Sequence, residues 1–347
     1  MNARIRTALT GARVPRGCLL LAALFTAPLL HAGEAIDETR PVDENGVISI
    51  ELVNGFVRLV AWDRAEFHVS GELSDNASGF ELRERGSGLR FEETFEPDGN
   101  TCFGFFGCQG RSSRSDGADL LIEVPRNGIV RLKGTNIDVE VSQLERNTEV
   151  ELINGEISAD RLKGVVKLNT VNGDIRATGL DGQLALETVN GRIADRESSG
   201  SRIDLRTVNG GIESNSRSER IRVDNVNGGI DLTLGNIDDL EVSTVGGQVD
   251  IRTALNPLAQ LQISSVHGRI DVALPAATSA TFLVSTAVGG RIANELSNDE
   301  PVRRSRFVNS SDLNFVLGGG ESDVRISTVS GSVRLCEAEA NSQRAGC

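Results

Sequence analysis

Four carboxylates stand out by position. Glu213, Asp231, Asp250 and Asp271 each follow an Ile or Val, and they lie 18, 19 and 21 residues apart. If each step is one turn of a coil of stacked strands, they form a column with neighbours about 4.8 Å apart. Such a column has three uses. It is a solvated acidic face, a strip that gathers a divalent cation or a Lys/Arg-rich partner, or a source of paired carboxylates for glycoside cleavage. Like charges at ~5 Å repel by only ~0.8 kcal/mol in bulk water, so a wet face tolerates them. A second set, Asp204, Arg222 and Glu241, alternates in sign at a similar spacing.

Little else in the chain promises chemistry. Beyond the first 32 residues the only histidines are His68 and His267, and His267 stands where the repeat otherwise carries Asn, as expected of a turn residue. There is no Tyr, and Trp62 is the only Trp, which weakens a sugar-processing reading because aromatic faces are the usual sugar platforms. No nucleophile elbow, zinc-peptidase helix motif, phosphate loop or glycine-rich calcium coil occurs. No catalytic residue, cofactor or metal is assigned. The expected function is a non-enzymatic binding or adhesion scaffold. The alternatives are a β-helix polysaccharide hydrolase or lyase using the stacked carboxylates, and a structural envelope protein that stacks end to end.

The elements that would place those carboxylates repeat. Thr170-Val171-Asn172-Gly173-Asp174-Ile175 returns at 188–193, 207–212 and 225–230, then decays through 244–249 and 265–270 to copies near 288–292 and 328–333. The Asn row reads Asn136, Asn154, Asn172, Asn190, Asn209, Asn227, Gly246, His267, Gly289. A period near 20 with alternating apolar residues inside it is the signature of stacked repeats. The reading is all-β: a parallel β-solenoid with rungs of 18–22 residues and an N-terminal strand-rich cap. Asn154, Asn172, Asn190, Asn209 and Asn227 would hydrogen-bond up and down the stack as a ladder, while Gly would supply the positive φ of the bend. Asn-Gly between apolar runs is equally a hairpin signal, so an antiparallel array is the competing fold. No rung stands alone. Four or five buried aliphatics at ~1.5–3 kcal/mol each do not offset ~1–2 kcal/mol of ordering for each of ~18 residues. Stacking is therefore required.

Residues 1–32 read as a signal peptide, with Arg4, Arg6, Arg13 and Arg16 before the short apolar run Cys18–Leu30. The remainder carries 32 basic against 49 acidic residues, a net of −17, which argues against nucleic acid. Residues 36–125 read as an entry section covering one end of the array, with Asn54-Gly55 as a turn between strands. Within it, 96–117 is an insertion whose Phe103, Phe105 and Phe106 lie between Cys102 and Cys108. Packing on the open end and an apolar contact tip are its two readings. The repeat solenoid then runs over 126–335, with strands at 313–317 and 323–335 ending it, and 336–347 is a polar tail. Export permits disulfides. The expected pairs are Cys102–Cys108 and Cys336–Cys347, the local choice among three connectivities, with free thiols as the alternative. The spacings do not suit zinc.

The strand ending Val60-Ala61-Trp62-Asp63, the strand ending Ile122-Glu123-Val124-Pro125 and the many Thr-Val-Asn-Gly-x-Ile copies together resemble the toastrack-type family of candidate adhesins, over roughly residues 40–335. The resemblance implies a β-solenoid at or outside the bacterial envelope and carries no catalytic residues. The Cys102–Cys108 insertion departs from the family pattern. The expected molecule is thus exported to the periplasm or cell surface, a monomer, and not membrane-spanning after signal cleavage. Its expected partner is an envelope or extracellular ligand, a protein among the options, and not nucleic acid.

Overall fold

The computed structural model describes residues 34–95, 117–303 and 310–338. Among them the chain forms strands and no helix, so no helix is long and apolar enough to cross a membrane, which does not bear on crossing with strands. Near the N-terminus lie β1 (Ala35–Pro41), β2 (Val47–Trp62), β3 (Glu66–Glu72), β4 (Gly79–Arg85), β5 (Gly88–Thr94) and β6 (Ala118–Pro125). The repeats follow as β7 (Ile129–Ser142), β8 (Thr148–Asn154), β9 (Ile157–Asp160), β10 (Lys163–Asn172), β11 (Ile175–Thr178), β12 (Asp181–Asn190) and β13 (Ile193–Ser198). They continue as β14 (Arg202–Asn209), β15 (Ile212–Ser216), β16 (Arg220–Asn227), β17 (Ile230–Gly246) and β18 (Val249–Leu274). The far end holds β19 (Ala280–Thr286), β20 (Arg291–Asn294), β21 (Val302–Arg303), β22 (Ser311–Leu317) and β23 (Ser322–Glu337).

The fold is a parallel β-solenoid. Strands β10 and β11 flank the bend at Asn172-Gly173, yet β10 pairs in parallel with β8 and β12, while β11 pairs in parallel with β9 and β13. The bends therefore stack and do not close hairpins. Register holds from rung to rung: Thr170 lies opposite Thr188, Asn172 opposite Asn190, Ile175 opposite Ile193. One turn contributes Val166, Leu168, Ile175, Ala177 and Leu180, all buried, to a single core that runs the length of the stack.

Four residues of the repeated phrase, all but its valine and the variable position before Ile, have a task inside the stack. The Thr hydroxyl points in and donates to the carbonyl of the previous rung's glycine: Thr170 to Gly155 at 3.1 Å, Thr188 to Gly173 at 3.0 Å, Thr207 to Gly191 at 3.1 Å. The Asn amide donates to the Asn before it, from Asn154 to Asn136 at 2.7 Å through Asn209 to Asn190 at 2.9 Å. The glycine is required mainly by proximity. A Cβ on Gly173, Gly191 or Gly210 would sit 1.8–1.9 Å from the carbonyl oxygen of the glycine in the rung before. Positive φ, expected at every bend, occurs at Gly155 and Gly228 but not at those three. The Ile that follows is buried.

At both ends the order of rungs departs from the order of the chain. β2, read as part of a separate entry section, is itself a rung: Asn54 lies opposite Asn136 in β7. Its other edge carries β5 and β6 in parallel. Parallel stacking thus begins well before residue 126, and Asn54-Gly55 is a bend within one continuous strand, not a turn between two strands. At the far end β23 pairs in parallel with β18 on one side and with β19 and β20 on the other. Ser330, not Gly289, therefore follows His267 in the Asn row. Antiparallel strands cover the outer rungs: β4 on β5, β3 on β6 with β1 beyond it, and β22 on β19 with β21 beyond it. Phe282 of β19 and Phe315 of β22 stack at 4.4 Å across that last pairing.

Candidate functional site

The acidic column forms as a row on one face. Glu213 lies opposite Asp231, and Asp231 opposite Asp250. Burial, then the neighbouring Asp250 and Glu213, push the Asp231 carboxyl up. Asp271 is almost wholly buried, with Arg269 Nε 3.0 Å from its Oδ2. Burial pushes its carboxyl up as well, Arg269 opposes this, and Asp250 adds to it. Arg334 faces Asp271 in the next rung and ends the run. The depression at Asp231 and Asp250 is open, bordered by Arg192 and Gln248. Among the described residues no three His, Cys, Asp or Glu side chains converge as a metal site. The sign-alternating set forms too, with Arg222 between Asp204 and Glu241, reaching Glu241 at 3.2 Å.

Two features were not assigned from sequence. The first lies in the N-terminal cover. His68 on β3 bridges Asp37 on β1 at 3.0 Å and Glu123 on β6 at 2.9 Å, and it stacks on Trp62 at 5.8 Å. The hydrogen bonds to Asp37 and then Glu123 hold the imidazole above its ordinary pKa, against the effect of burial.

The second is a groove of about 650 Å³ along the stack, from Leu152 to Val266. Its base is the Thr row, one wall is Asn169, Glu187, Arg206, Asp224, Ser243 and Ser264, and the other is the valines of the repeated phrase. The charged wall is internally paired, Arg206 reaching Glu187 at 2.7 Å and Asp224 at 3.3 Å. At the bend the inward–outward alternation breaks, so that Val189 and Asn190 both face out. Val53, Ile153, Val171, Val189, Val208, Val226, Val245, Val288 and Val329 are 37–53% exposed. The available sequence signal was the recurrence of an aliphatic residue immediately before an outward Asn.

Cys336 on β23 is buried, and every other cysteine lies outside the described residues. Residues 1–32, Cys102 and Cys108, Phe103, Phe105 and Phe106, and Cys347 also lie outside them. His267 is exposed in the Asn row, at the turn position expected of it.

A family model described as Toastrack DUF4097 matches residues 47–336. A candidate cell adhesion protein from Clostridium sporogenes is similar at 10% identity, over 88% of this chain and 100% of that one, with a TM-score of 0.21. A candidate adhesin from Bacteroides fragilis is similar at 12% identity, over 87% of this chain and 97% of that one, with a TM-score of 0.35. No curated protein matches the sequence.

Proposed function

The chain belongs to the Toastrack DUF4097 family, and from that premise we propose that it is an adhesin-like, non-enzymatic binding scaffold, exported to the periplasm or cell surface. The leader-like residues 1–32 support export. The observation that carries the binding role is the groove with its exposed valine wall, an apolar strip on an otherwise acidic surface. The arrangement of charge supports a passive role. The carboxylates lie one per rung along a row, and much of the remaining charge is spent in surface ion pairs such as Lys133–Glu151 and Arg222–Asp224.

The test is saturable retention of labelled protein on envelope fractions, comparing wild type with Val189→Glu/Val208→Glu. Retention that saturates and is lost in the variant is expected. Cleavage of envelope polysaccharide by wild type, abolished in Asp231→Asn/Asp250→Asn, would replace the scaffold reading with the enzymatic one.

A further inference from the structure

Within the repeated phrase, Thr bonds a carbonyl, Asn builds the ladder, Gly admits the neighbouring rung and Ile fills the core. The valine between Thr and Asn does none of these. It nevertheless recurs, outward-facing, from rung to rung. In register the row reads Val53, Thr135, Ile153, Val171, Val189, Val208, Val226, Val245, Val266, Val329 and then Val288, whose amide donates to the Val329 carbonyl. We propose that this stripe is the surface on which two copies of the chain pair side by side.

Three observations select a second copy as the occupant. The first is repeat length. The stripe repeats at the rung spacing, about 4.8 Å. An extended peptide advances about 3.3–3.4 Å per residue and an α-helix 5.4 Å per turn, so both drift out of phase over a few rungs. A second solenoid has the same repeat by construction and stays in phase throughout. The second is area. At 37–53% exposure, nine aliphatics offer roughly 500–600 Å² per copy before flanking residues are counted, close to the roughly 600 Å² per partner at the lower bound of specific interfaces. The third is charge. The molecule is acidic, yet the stripe is bordered on one side by the uncharged Asn ladder and on the other by a row whose charges are paired: Glu51 with Arg90, Lys133 with Glu151, and Arg206 with Glu187 and Asp224. A contact core depleted of net charge is what association requires. A twofold pair uses the same patch on both partners, and Val208 is the sixth of eleven positions, so it faces its own counterpart.

The inference rests on the binding reading above and names its partner. In place of the single chain expected from sequence, it gives a dimer in solution. Sedimentation velocity on the purified protein from about 1 to about 100 µM, a span in which modest interfaces dissociate, is expected to give a monomer–dimer equilibrium. Raising the salt should tighten it, because screening removes the mutual repulsion of two acidic molecules. Val189→Glu/Val208→Glu is expected to weaken pairing roughly 100-fold or more, since each copy would bury two carboxylates without partners. Val189→Ala/Val208→Ala should weaken it less and serves where the Glu pair disturbs folding by circular dichroism. Val208→Cys should cross-link copy to copy on oxidation. A monomer at every concentration, or a dimer that both double variants leave intact, overturns the proposal. In the monomer case, envelope retention lost in the Glu variant would still support the scaffold function with another occupant.

Discussion

Gly210 and Gly211 are adjacent in the same bend, and the fold makes opposite demands on them. A methyl group on Gly210 would lie 1.8 Å from the Gly191 carbonyl oxygen and 2.6 Å from its carbon. Relief to 3.0 Å requires the two rungs to part by about 1.2 Å at this point. Three bonds span that gap: Gly191 N–H to Asn209 O at 3.1 Å, Ile193 N–H to Gly211 O at 3.0 Å, and Thr207 Oγ1 to Gly191 O at 3.1 Å. An opening of that size breaks all three. With ~1–3 kcal/mol lost for each polar group left without a partner, and some relaxation, Gly210→Ala should cost ~3–5 kcal/mol. A methyl on Gly211 meets nothing nearer than the Gly229 carbonyl oxygen at 3.4 Å, so Gly211→Ala should fall within ~1 kcal/mol of wild type. Urea titration gives the difference in stability. Amide exchange at Gly191 and Ile193 locates the opening, which matters because stacked repeats can unfold by segments. Equal stabilities for the two variants, within ~0.5 kcal/mol, would refute the account of why glycine follows Asn in the phrase.

The ladder gives a smaller effect. Asn190 donates to Asn172 at 2.8 Å and accepts from Asn209 at 2.9 Å in the open, so Asn190→Ala should cost ~1 kcal/mol in the same titration. In the N-terminal cover, the carboxylates raise the folded pKa of His68 above its unfolded value. Its contribution is therefore full below about pH 6.5 and is lost as pH rises through the folded pKa. Asp37→Asn should lower the His68 titration followed by NMR, and β1 amides in the wild type should exchange faster, relative to global stability, at high pH than at low. For the acidic row, burial and like charges raise the folded pKa of Asp231, so its ionisation opposes folding as pH rises above the unfolded range near 4. Asp250→Asn should thus stabilise the protein by up to ~1 kcal/mol at pH 7, with the gain vanishing in acid. Calorimetry that found strong calcium binding to wild type, abolished in Asp231→Asn/Asp250→Asn, would assign the row a cation-binding role.

The repeat and its stacking were legible because the most informative residues face outward and act on their equivalents. Asn172 and Asn190 hold the same position, and a side chain that bonds its own kind must recur. The acidic row was legible because its 18-, 19- and 21-residue steps follow the rungs. The valine stripe was hidden in plain alternation. Val is an ordinary strand residue, and only the bend geometry turns Val189 and Asn190 out together. The role of glycine was legible as a turn and not as a contact, because Gly191 and Gly210 are held by what lies in the rung before them, which sequence does not display. The ends were misread for a topological reason. Sequence neighbours usually pair in space, but parallel strands carry no local mark of their partners. Asn54 therefore passed for a turn between two strands, and β23 for the final rung.

The placement of β23 has a consequence for how the molecule is made. Strands β7 to β18 can be laid down one upon another as the chain leaves the ribosome or a translocation channel, each new turn resting on a finished one. The segment from 280 to 317 cannot follow suit, because the course on which β19 and β20 must rest lies further along the chain, in residues 322–337. It has to wait and then close over a late arrival, as a lid closes over the last item packed. A stop codon or protease cut near residue 320 would accordingly remove one strand and strand four more, leaving the open edge of β18 free to recruit whatever β-structure came near.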